Sequence, residues 1–352
     1  MKKYLLLLSL ITLFSCKKET PATVTMERKP FTGLEIDTIL QDDISIRALG
    51  IDNNKVWYAG TNGKYGYQDL INDKDFQGVI AKDSSHFEFR ALALTSSHFF
   101  ILNIGNPAQL HKISKDGKHN ELVYVESHEK VFYDCMKFWN DKEGIAMGDP
   151  TENCLSILLT SDGGTTWHKI PCSDLPQIES GEAAFAASNT NIVVKGDKAW
   201  IVTGGKKARV FYAPDKGKTW SVFETPIVQG RTMTGIFTAD FYDEKNGIIA
   251  GGDYDTPMQN HKNKAITKDG GKTWKLVAEN KGFGYASCVQ YVPNSNAKQL
   301  VSVGTDGLYY SKDSGENWQQ LSKDKDLYTI QFQNDSTAFA AGNNKIIRIR
   351  FK

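Results

Sequence analysis

The chain has 352 residues, more than one compact core usually holds, so either two domains or one repetitive architecture is expected. Lys and Arg number 42 against 41 Asp and Glu, and this formal net charge of +1 provides no broad basic surface. The composition therefore argues against nucleic acid as a partner.

The N-terminal segment is typical of an export signal. Residues 1–15 carry two lysines and then an apolar run that is too short to span a bilayer. The next residue completes LFSC at residues 13–16, which resembles the lipobox of bacterial lipoproteins, where the cysteine becomes the lipidated first residue. This resemblance implies a lipid on Cys16 and attachment to the outer membrane, on its periplasmic or its surface side. Residues 16–30 are polar and are predicted to form a flexible tether.

The rest of the chain, residues 31–352, reads as one domain built from repeats. In one repeat, short apolar runs predict strands at Cys135–Trp139, Ile145–Gly148, Leu155–Thr160 and Thr166–Ile170, separated by turns. The same order recurs downstream, and two upstream stretches resemble it without a tryptophan. Helical periodicity is nowhere sustained, so the sequence predicts an all-β fold.

The last two strands of each complete repeat are joined by the motif Asp-x-Gly-x-x-Trp. The four aspartates lie 53, 54 and 44 residues apart, a period that suits one four-stranded sheet per repeat. The motif residues are Asp162, Gly164, Trp167, Asp215, Gly217, Trp220, Asp269, Gly271, Trp274, Asp313, Gly315 and Trp318. The aspartate can accept hydrogen bonds from backbone amides, glycine supplies a positive φ, and tryptophan can pack between neighbouring sheets. These residues are expected to stabilise the fold.

The number of repeats predicts how the ring closes. Six full units precede Tyr328, after which only three strands remain, whereas Gly33–Ile39 forms an extra strand before the first unit. We expect this N-terminal strand to complete the last sheet, which gives a seven-bladed β-propeller without a long open edge.

These motifs carry a family resemblance. The repeated Ser/Thr-x-Asp-x-Gly-x-Thr-Trp resembles the Asp-box, or bacterial neuraminidase repeat, and FYDEKNGIIAGG at residues 241–252 resembles the photosystem II stability and assembly factor branch. The resemblance covers about residues 31 to 352 and implies a monomeric propeller that binds or assembles a protein partner, in a membrane complex. No dinucleotide loop is present and the histidines lack ligand spacing, so neither a cofactor nor a metal is expected.

Topology places the candidate binding residues at one end of the ring. Loops between second and third strands, and linkers between repeats, share the face opposite the Asp-x-Gly turns, and long loops on a rigid scaffold often carry recognition. One such long loop is predicted at Lys64–Phe76. The candidate residues of this face and its channel rim are Arg47, Arg90, Tyr328, Arg231, Glu182, Asp149, Asp253, Tyr254 and Asp255. Converging arginines would bind a carboxylate or phosphate, or would instead pair with Asp134, Glu182 or Glu88 as structural ion pairs.

A glycan-active hydrolase of the sialidase type is the alternative function. Sialidases share this fold and hold a carboxylate with three arginines, but the Phe/Tyr-Arg-Ile-Pro motif is missing from this sequence. Carboxylates such as Glu179 and Asp253 share the loop-rich face, so two-carboxylate chemistry stays open without a spacing that signals it. No catalytic residue is assigned.

Cys154 and Cys172 flank the first Asp-x-Gly turn. Positions that pair across this hairpin have numbers that sum to about 326, as 154 and 172 do, which places the two residues opposite each other. Either a disulfide joins them, as export to an oxidising compartment would allow, or both are free.

Overall fold

The computed structural model describes residues 28–72, 74–82 and 85–352, and its regular structure consists of β-strands and one short 3-10 helix, Cys172–Asp174. The predicted signal peptide, Cys16 and residues 16–27 of the predicted tether lie outside the described residues. Within the described ranges, no helix is long and apolar enough to cross a membrane.

The strands form a β-propeller, and we call each continuous sheet of four or more strands a blade. Blade 1 contains β1 (Leu34–Asp52), β2 (Lys55–Gly60), β3 (Lys64–Asp69), β4 (Phe76–Val79), β29 (Leu327–Phe332) and β30 (Thr337–Phe351). Blade 2 contains β7 (Phe89–Leu94), β8 (His98–Asn103), β9 (Ala108–Ser114) and β10 (Asn120–Glu126). Blade 3 contains β11 (Tyr133–Phe138), β12 (Gly144–Gly148), β13 (Ser156–Thr160) and β14 (His168–Lys169).

The second half of the chain forms the other three blades. Blade 4 contains β16 (Ile192–Lys195), β17 (Lys198–Val202), β19 (Arg209–Ala213) and β20 (Ser221–Glu224). Blade 5 contains β15 (Glu182–Ala183), β18 (Gly204–Gly205), β21 (Thr234–Phe241), β22 (Gly247–Asp253), β23 (Lys264–Thr267) and β24 (Lys275–Leu276). Blade 6 contains β25 (Cys288–Tyr291), β26 (Leu300–Gly304), β27 (Gly307–Ser311) and β28 (Gln319–Ser322). A separate two-stranded sheet joins β5 (Ala81–Lys82) to β6 (Ser85–His86).

The predicted number of blades is wrong: the described residues form six blades, not seven. The reason is that β1 runs for 19 residues and β30 for 15, so the strands expected in the first and last blades share one six-stranded sheet. This sheet has the order β29-β30-β1-β2-β3-β4. Its centre joins the two ends of the chain, since Leu34 pairs with Phe351 and Gln41 with Lys345. The N-terminal strand thereby closes the ring, and no free edge remains between the chain ends.

A second correction concerns the region predicted as the loop Lys64–Phe76. Lys64–Asp69 is strand β3, which pairs with β2 and with β4, so the long connection lies between β3 and β4 instead. The upstream repeat had lost its tryptophan, and without that marker the third strand could not be distinguished from the loop before it.

The four Asp-x-Gly turns hold the outer hairpins through local hydrogen bonds. The Asp162 carboxylate accepts from the backbone amides of Thr165 and Thr166, both at 3.0 Å. Asp269 accepts from the Thr273 amide at 2.9 Å in the same way. The glycine that follows has a positive φ, as at Gly271 with 88°. These contacts close each turn without help from other blades.

The motif tryptophans bury their rings between blades. Trp167 is 6% exposed and contacts Phe100 of blade 2 and Phe138 of its own blade. Trp274 lies against Phe241 and donates its Nε1 hydrogen to the Gly271 carbonyl at 2.9 Å. Truncation of such a ring to alanine typically costs about 3–5 kcal/mol. The tryptophans therefore link neighbouring blades.

Candidate functional site

Five of the strands that face the central channel contain a β-bulge, which changes the direction of one side chain in each strand. The β-ladder shifts register between Ile46 and Ala48 in β1, and corresponding shifts occur in four further channel-facing strands. The residues skipped by these bulges are Arg47, Arg90, Asp134, Phe237 and Tyr328. A bulge places an extra residue out of the ladder and re-aims its side chain. Of these side chains, Arg47, Arg90 and Phe237 line one cavity, Tyr328 packs against Arg47, and Asp134 is fully buried.

The cavity has a volume of about 400 Å³ and opens on the loop-rich face predicted from the topology. Its walls come from the bulged residues, from linkers between blades and from two loops between second and third strands. The lining residues are Arg47, Arg90, Phe132, Asp149, Ala183, Ala184, Phe185, Ala186, Ala187, Thr232, Met233, Phe237, Tyr254 and Tyr285. The volume suits a small ligand or one or two side chains of a partner.

The floor of the cavity is a segment that crosses the central channel, and we call residues 184–190 the plug segment. Its side chains reach strands on different sides of the ring: Asn189 Nδ2 donates to the Leu92 carbonyl at 2.7 Å. Ser188 Oγ donates to the Ser287 carbonyl at 2.5 Å, and Thr190 Oγ1 lies 2.7 Å from Thr238 Oγ1. The channel is therefore blocked at this level, and the cavity is a cup whose floor is lined by Ala184, Phe185, Ala186 and Ala187 and is held in place by the hydrogen bonds of the next three residues.

Arg47 contributes a positive charge without a carboxylate partner in the described part of the chain. Its Nη1 donates to the Ala187 carbonyl at 3.1 Å, and its guanidinium carbon lies 4.3 Å from the centroid of the Tyr328 ring. Its Nε is buried and has no hydrogen-bond partner among the described residues. Burial, and then the nearby charge of Arg90, lower the pKa of Arg47, but arginine stays protonated in proteins. Arg47 thus has unused donors for an anion.

Arg90 has a structural partner. Its Nε and Nη2 both lie 2.7 Å from Glu88 Oε1, and its Nη1 lies 3.5 Å from the Ala186 carbonyl. The sequence left open whether the rim arginines bind an anion or form structural ion pairs, and Arg90 forms an ion pair with Glu88. The charges of the Arg47 and Arg90 guanidinium groups both contribute to the electrostatic potential in the cavity.

Aromatic rings form the wall opposite the arginines. The rings of Phe185 and Phe237 stack with centroids 3.9 Å apart, and Phe237 meets Tyr285 edge to face at 4.8 Å. Tyr254 packs on Tyr285 at 5.1 Å and is 44% exposed at the mouth of the cavity. This wall offers an apolar surface to a ligand that is held at its charged end by Arg47.

Two carboxyl groups lie on the blade 3 side. Asp149 lines the cavity and accepts a hydrogen bond from the Ala184 amide at 2.8 Å. Asp134 is fully buried, and neither of its carboxyl oxygens has a partner in the described residues. Burial raises the pKa of Asp149 to about 6, and burial together with the charge of Asp149 raises the pKa of Asp134 well above its usual range.

Three other predicted site residues are engaged in contacts of their own. Glu182 is 2% exposed and forms an ion pair with Arg209 at 2.5 Å. Arg231 forms a close ion pair with Asp253, which also accepts hydrogen bonds from the Asp255 and Thr256 amides at 3.0 and 3.3 Å. Asp255 itself is exposed. None of these residues lines the cavity.

Of the nine predicted residues, the structure thus brings Arg47, Arg90, Asp149 and Tyr254 into the cavity wall, with Tyr328 behind Arg47. The sequence reasoning missed others. Asp134 occupies the same place in YDCMKF as Arg90 does in FRALAL, so extending that alignment by one blade would have found it. The plug segment and Tyr285 have no comparable signal.

The two cysteines flanking the first turn are joined in the structure. A disulfide links Cys154 to Cys172, with Cα atoms 5.5 Å apart. It connects the loop after Asp149 to the linker that leads into the plug segment. Among the described residues, no group of three or more His, Cys, Asp or Glu side chains is arranged to hold a metal ion.

Comparisons with known proteins bear on the fold. Neither the models of protein families nor the curated proteins gave a match. Solved structures did: YCF48 bound to a D1 peptide matches with a TM-score of 0.64 and 15% identity, over 92% of this chain and 98% of that chain. YCF48 from Cyanidioschyzon merolae has a TM-score of 0.64 and 12% identity, over 90% and 98% of the two chains. The chain has a β-propeller fold.

A third solved structure has the same architecture. The WD40 repeats of RRP9 match with a TM-score of 0.61 and 10% identity, over 90% of this chain and 97% of that chain. Because all these identities are low, the matches define the fold and leave the function to be argued from the site.

Proposed function

We propose that this chain is an exported, lipid-anchored protein of the bacterial outer membrane whose propeller is a non-catalytic platform for a protein partner, one that belongs to a membrane complex. The observation that carries the binding role is a single cup in which Arg47 keeps unused donors opposite an aromatic wall. The location rests on the sequence of residues 1–16 alone.

The chemistry of the cup favours an acidic peptide segment as the ligand. A carboxylate at Arg47 would accept charge-assisted hydrogen bonds, which are stronger than neutral ones. A neighbouring apolar side chain would pack on Phe185, Phe237 and Tyr285. YCF48, which shares this fold, has been solved with a D1 peptide bound, and this supports a peptide as the class of ligand.

The cup also has the rigidity that recognition needs. The Arg47 guanidinium is held by the Ala187 carbonyl and by the Tyr328 ring, so little side-chain entropy remains to be lost on binding. The plug segment that carries Ala187 is bonded to several strands in turn. Binding would therefore use a preformed surface.

Crosslinking in intact cells, followed by purification of the full-length protein and mass spectrometry, tests this function. We expect one membrane protein to co-purify in stoichiometric amount. Arg47→Ala should weaken its capture by at least tenfold, since loss of a charged hydrogen bond costs about 1.5–3 kcal/mol. Arg350→Ala, which removes an arginine paired with Asp37 outside the cavity, is the matched control. Equal capture by wild type and Arg47→Ala would refute a role for the cup.

The same preparation distinguishes binding from glycan hydrolysis. Glu182 and Asp253, carboxylates that a hydrolase could use, are each held by an arginine, which supports binding. Turnover of a fluorogenic sialoside panel that is abolished by Arg47→Ala and by Arg90→Ala would overturn the platform proposal in favour of an enzyme.

A further inference from the structure

Asp134, the buried partner of the cup-lining Asp149, has no structural role that its contacts explain. Asp134 is 0% exposed, and both of its oxygens lack a partner in the part of the chain that the structure describes. A buried ionised carboxylate without hydrogen bonds is costly, so such a group either holds a proton or meets a counter-charge. A structural carboxylate would instead resemble Asp240, which accepts from the amides of Tyr291 and Phe241 at 2.7 and 2.9 Å.

The position of the pair connects it to the cup. Asp134 is the bulged residue of β11 and lies within electrostatic range of Arg90 and of Asp149. Asp149 lines the cup and uses one oxygen for the Ala184 amide of the plug segment. A charge on Asp149 therefore faces the same space as the guanidiniums, and it opposes an incoming anion.

We propose that the cup binds its anionic ligand together with one proton, which is taken up by the Asp134–Asp149 pair. This inference rests on the proposed function and adds a regulation of the same site. With the pair neutral, Arg47 acts on the anion without opposition from Asp149. With Asp149 ionised, part of the field of Arg47 is cancelled, and the affinity falls.

The other charged groups around the pair are held in ion pairs or lie outside the cup. Arg90 is paired with Glu88, and burial raises the pKa of Tyr285 above its usual range. On the outer side, Lys169 contacts Thr151 and forms an ion pair with Glu126. On the adjoining loops and linkers, Glu182–Arg209 and Asp253–Arg231 form ion pairs, and Glu152 and Glu179 are exposed.

Linkage gives the direction. Burial raises the pKa of Asp149 to about 6 in the free protein, and burial raises the pKa of Asp134 well above its usual range. A bound anion stabilises the neutral form of Asp149 and raises its pKa further, so proton uptake occurs between the free and bound pKa values, above pH 6. If the anion raises this pKa by one unit, the affinity at pH 5 exceeds that at pH 8 by about tenfold.

The test uses the full-length protein and benzenesulfonate, an aromatic anion whose charge is constant from pH 5 to 8. Isothermal titration at four pH values in this range, in two buffers of different ionisation enthalpy, measures both affinity and proton uptake. We expect tighter binding at pH 5 and net proton uptake near pH 7. Asp149→Asn keeps an acceptor for the Ala184 amide and should bind equally well at every pH, without proton uptake.

Because Asp134 is already neutral in the folded protein, Asp134→Asn should keep the proton uptake, which takes place at Asp149. Asp240→Asn, which replaces a partly buried carboxyl in blade 5 that does not line the cup, is the matched control and should keep the wild-type pH profile. Binding that does not vary with pH in the wild type would overturn this inference and leave the proposed function intact. Failure to bind at any pH would contradict both.

A ligand-free measurement covers the case in which a variant folds poorly. Because folded Asp134 keeps a proton that its unfolded form releases above pH 4, this group lowers the stability as pH rises. The wild type should therefore lose stability relative to Asp134→Asn between pH 4 and pH 7 in urea unfolding. A difference between the two proteins that is the same at both pH values would refute a buried proton at Asp134.

Discussion

Replacement of Lys264 by methionine should stabilise the protein at neutral pH. Lys264 is 0% exposed in β23. Its ammonium donates to Asn263 Oδ1 at 2.7 Å and to the Phe283 carbonyl at 3.4 Å, and lies 4.6 Å from the Phe283 ring centroid. None of these partners carries a negative charge. A buried charge without an opposite charge is destabilising even when it is hydrogen-bonded.

The magnitude follows from the pKa. Burial lowers the pKa of Lys264 to about 8, against a smaller opposing effect of Glu279. The unfolded chain has the ordinary lysine value, so the ammonium costs about 3 kcal/mol at a pH below 8, where both states are charged. As pH rises from 8 to about 10.5 the unfolded state holds more protons, so the free energy of unfolding rises and the cost disappears.

Lys264→Met removes this charge and leaves the Asn263 side-chain oxygen without its donor, which costs about 1–3 kcal/mol. We expect the variant to be more stable than wild type by up to about 2 kcal/mol at pH 7 and to lose this advantage by pH 10. Urea unfolding followed by tryptophan fluorescence at both pH values measures the difference. Lys268→Met, on the exposed turn after β23, is the control. A difference between variant and wild type that does not change with pH would refute the reasoning.

Three further predictions concern the scaffold. Cys154→Ser removes a disulfide to Cys172 that closes a loop of 18 residues, and a loss of about 3 kcal/mol is expected in urea unfolding without reductant. Desolvation raises the pKa of Asp162, but the hydrogen bonds that its carboxylate accepts outweigh this effect and lower the pKa to about 2. The stability that this group contributes is therefore present above pH 4 and is lost towards pH 2. Asp162→Asn should flatten that part of the acid-unfolding curve. Gly235→Ala would place a Cβ 2.3 Å from the Gly204 Cα at a φ of 133°, and a fall in melting temperature of several degrees is expected.

The features that were predictable from the sequence are those fixed by neighbouring residues. The predicted strand Ile145–Gly148 lies within the observed strand Gly144–Gly148, because a short continuous apolar run with flanking turns marks it locally. The Asp269 turn closes through the Thr273 amide only four residues away. Where the local marker was lost, as in the first repeat, the third strand was misplaced.

The number of blades depended on something that no local pattern contains. Whether β1 is divided between two sheets or joins them is decided by its continuous pairing with both β2 and β30. β2 and β30 lie near opposite ends of the sequence, and Leu34 of β1 pairs with Phe351 of β30. A count of repeats could not show that the first and last groups of strands share one sheet, so it led to the wrong number of blades.

The same difference between local and long-range information explains why only part of the candidate site was predictable. Arg47 and Arg90 stand in matching sequence contexts, so their common position followed from aligning the strands. The floor of the cup did not follow, because its contacts span long distances in sequence: Asn189 bonds to Leu92 and Ser188 to Ser287, 97 and 99 residues away. Nothing in AAFAASNT indicates a segment that would cross a channel.

The bulges explain why the binding chemistry can vary while the scaffold stays the same. At each bulge the ladder resumes on both sides of the skipped residue, as it does around Arg47, Asp134 and Phe237. The side chain at that position therefore contributes little to strand pairing, and its type is free to serve the cup. In this chain the positions carry two cations, one acid and two aromatic rings, so the order of charges around the rim is set by single residues that the fold itself does not require. A substitution at a bulge should therefore change ligand preference before it changes stability.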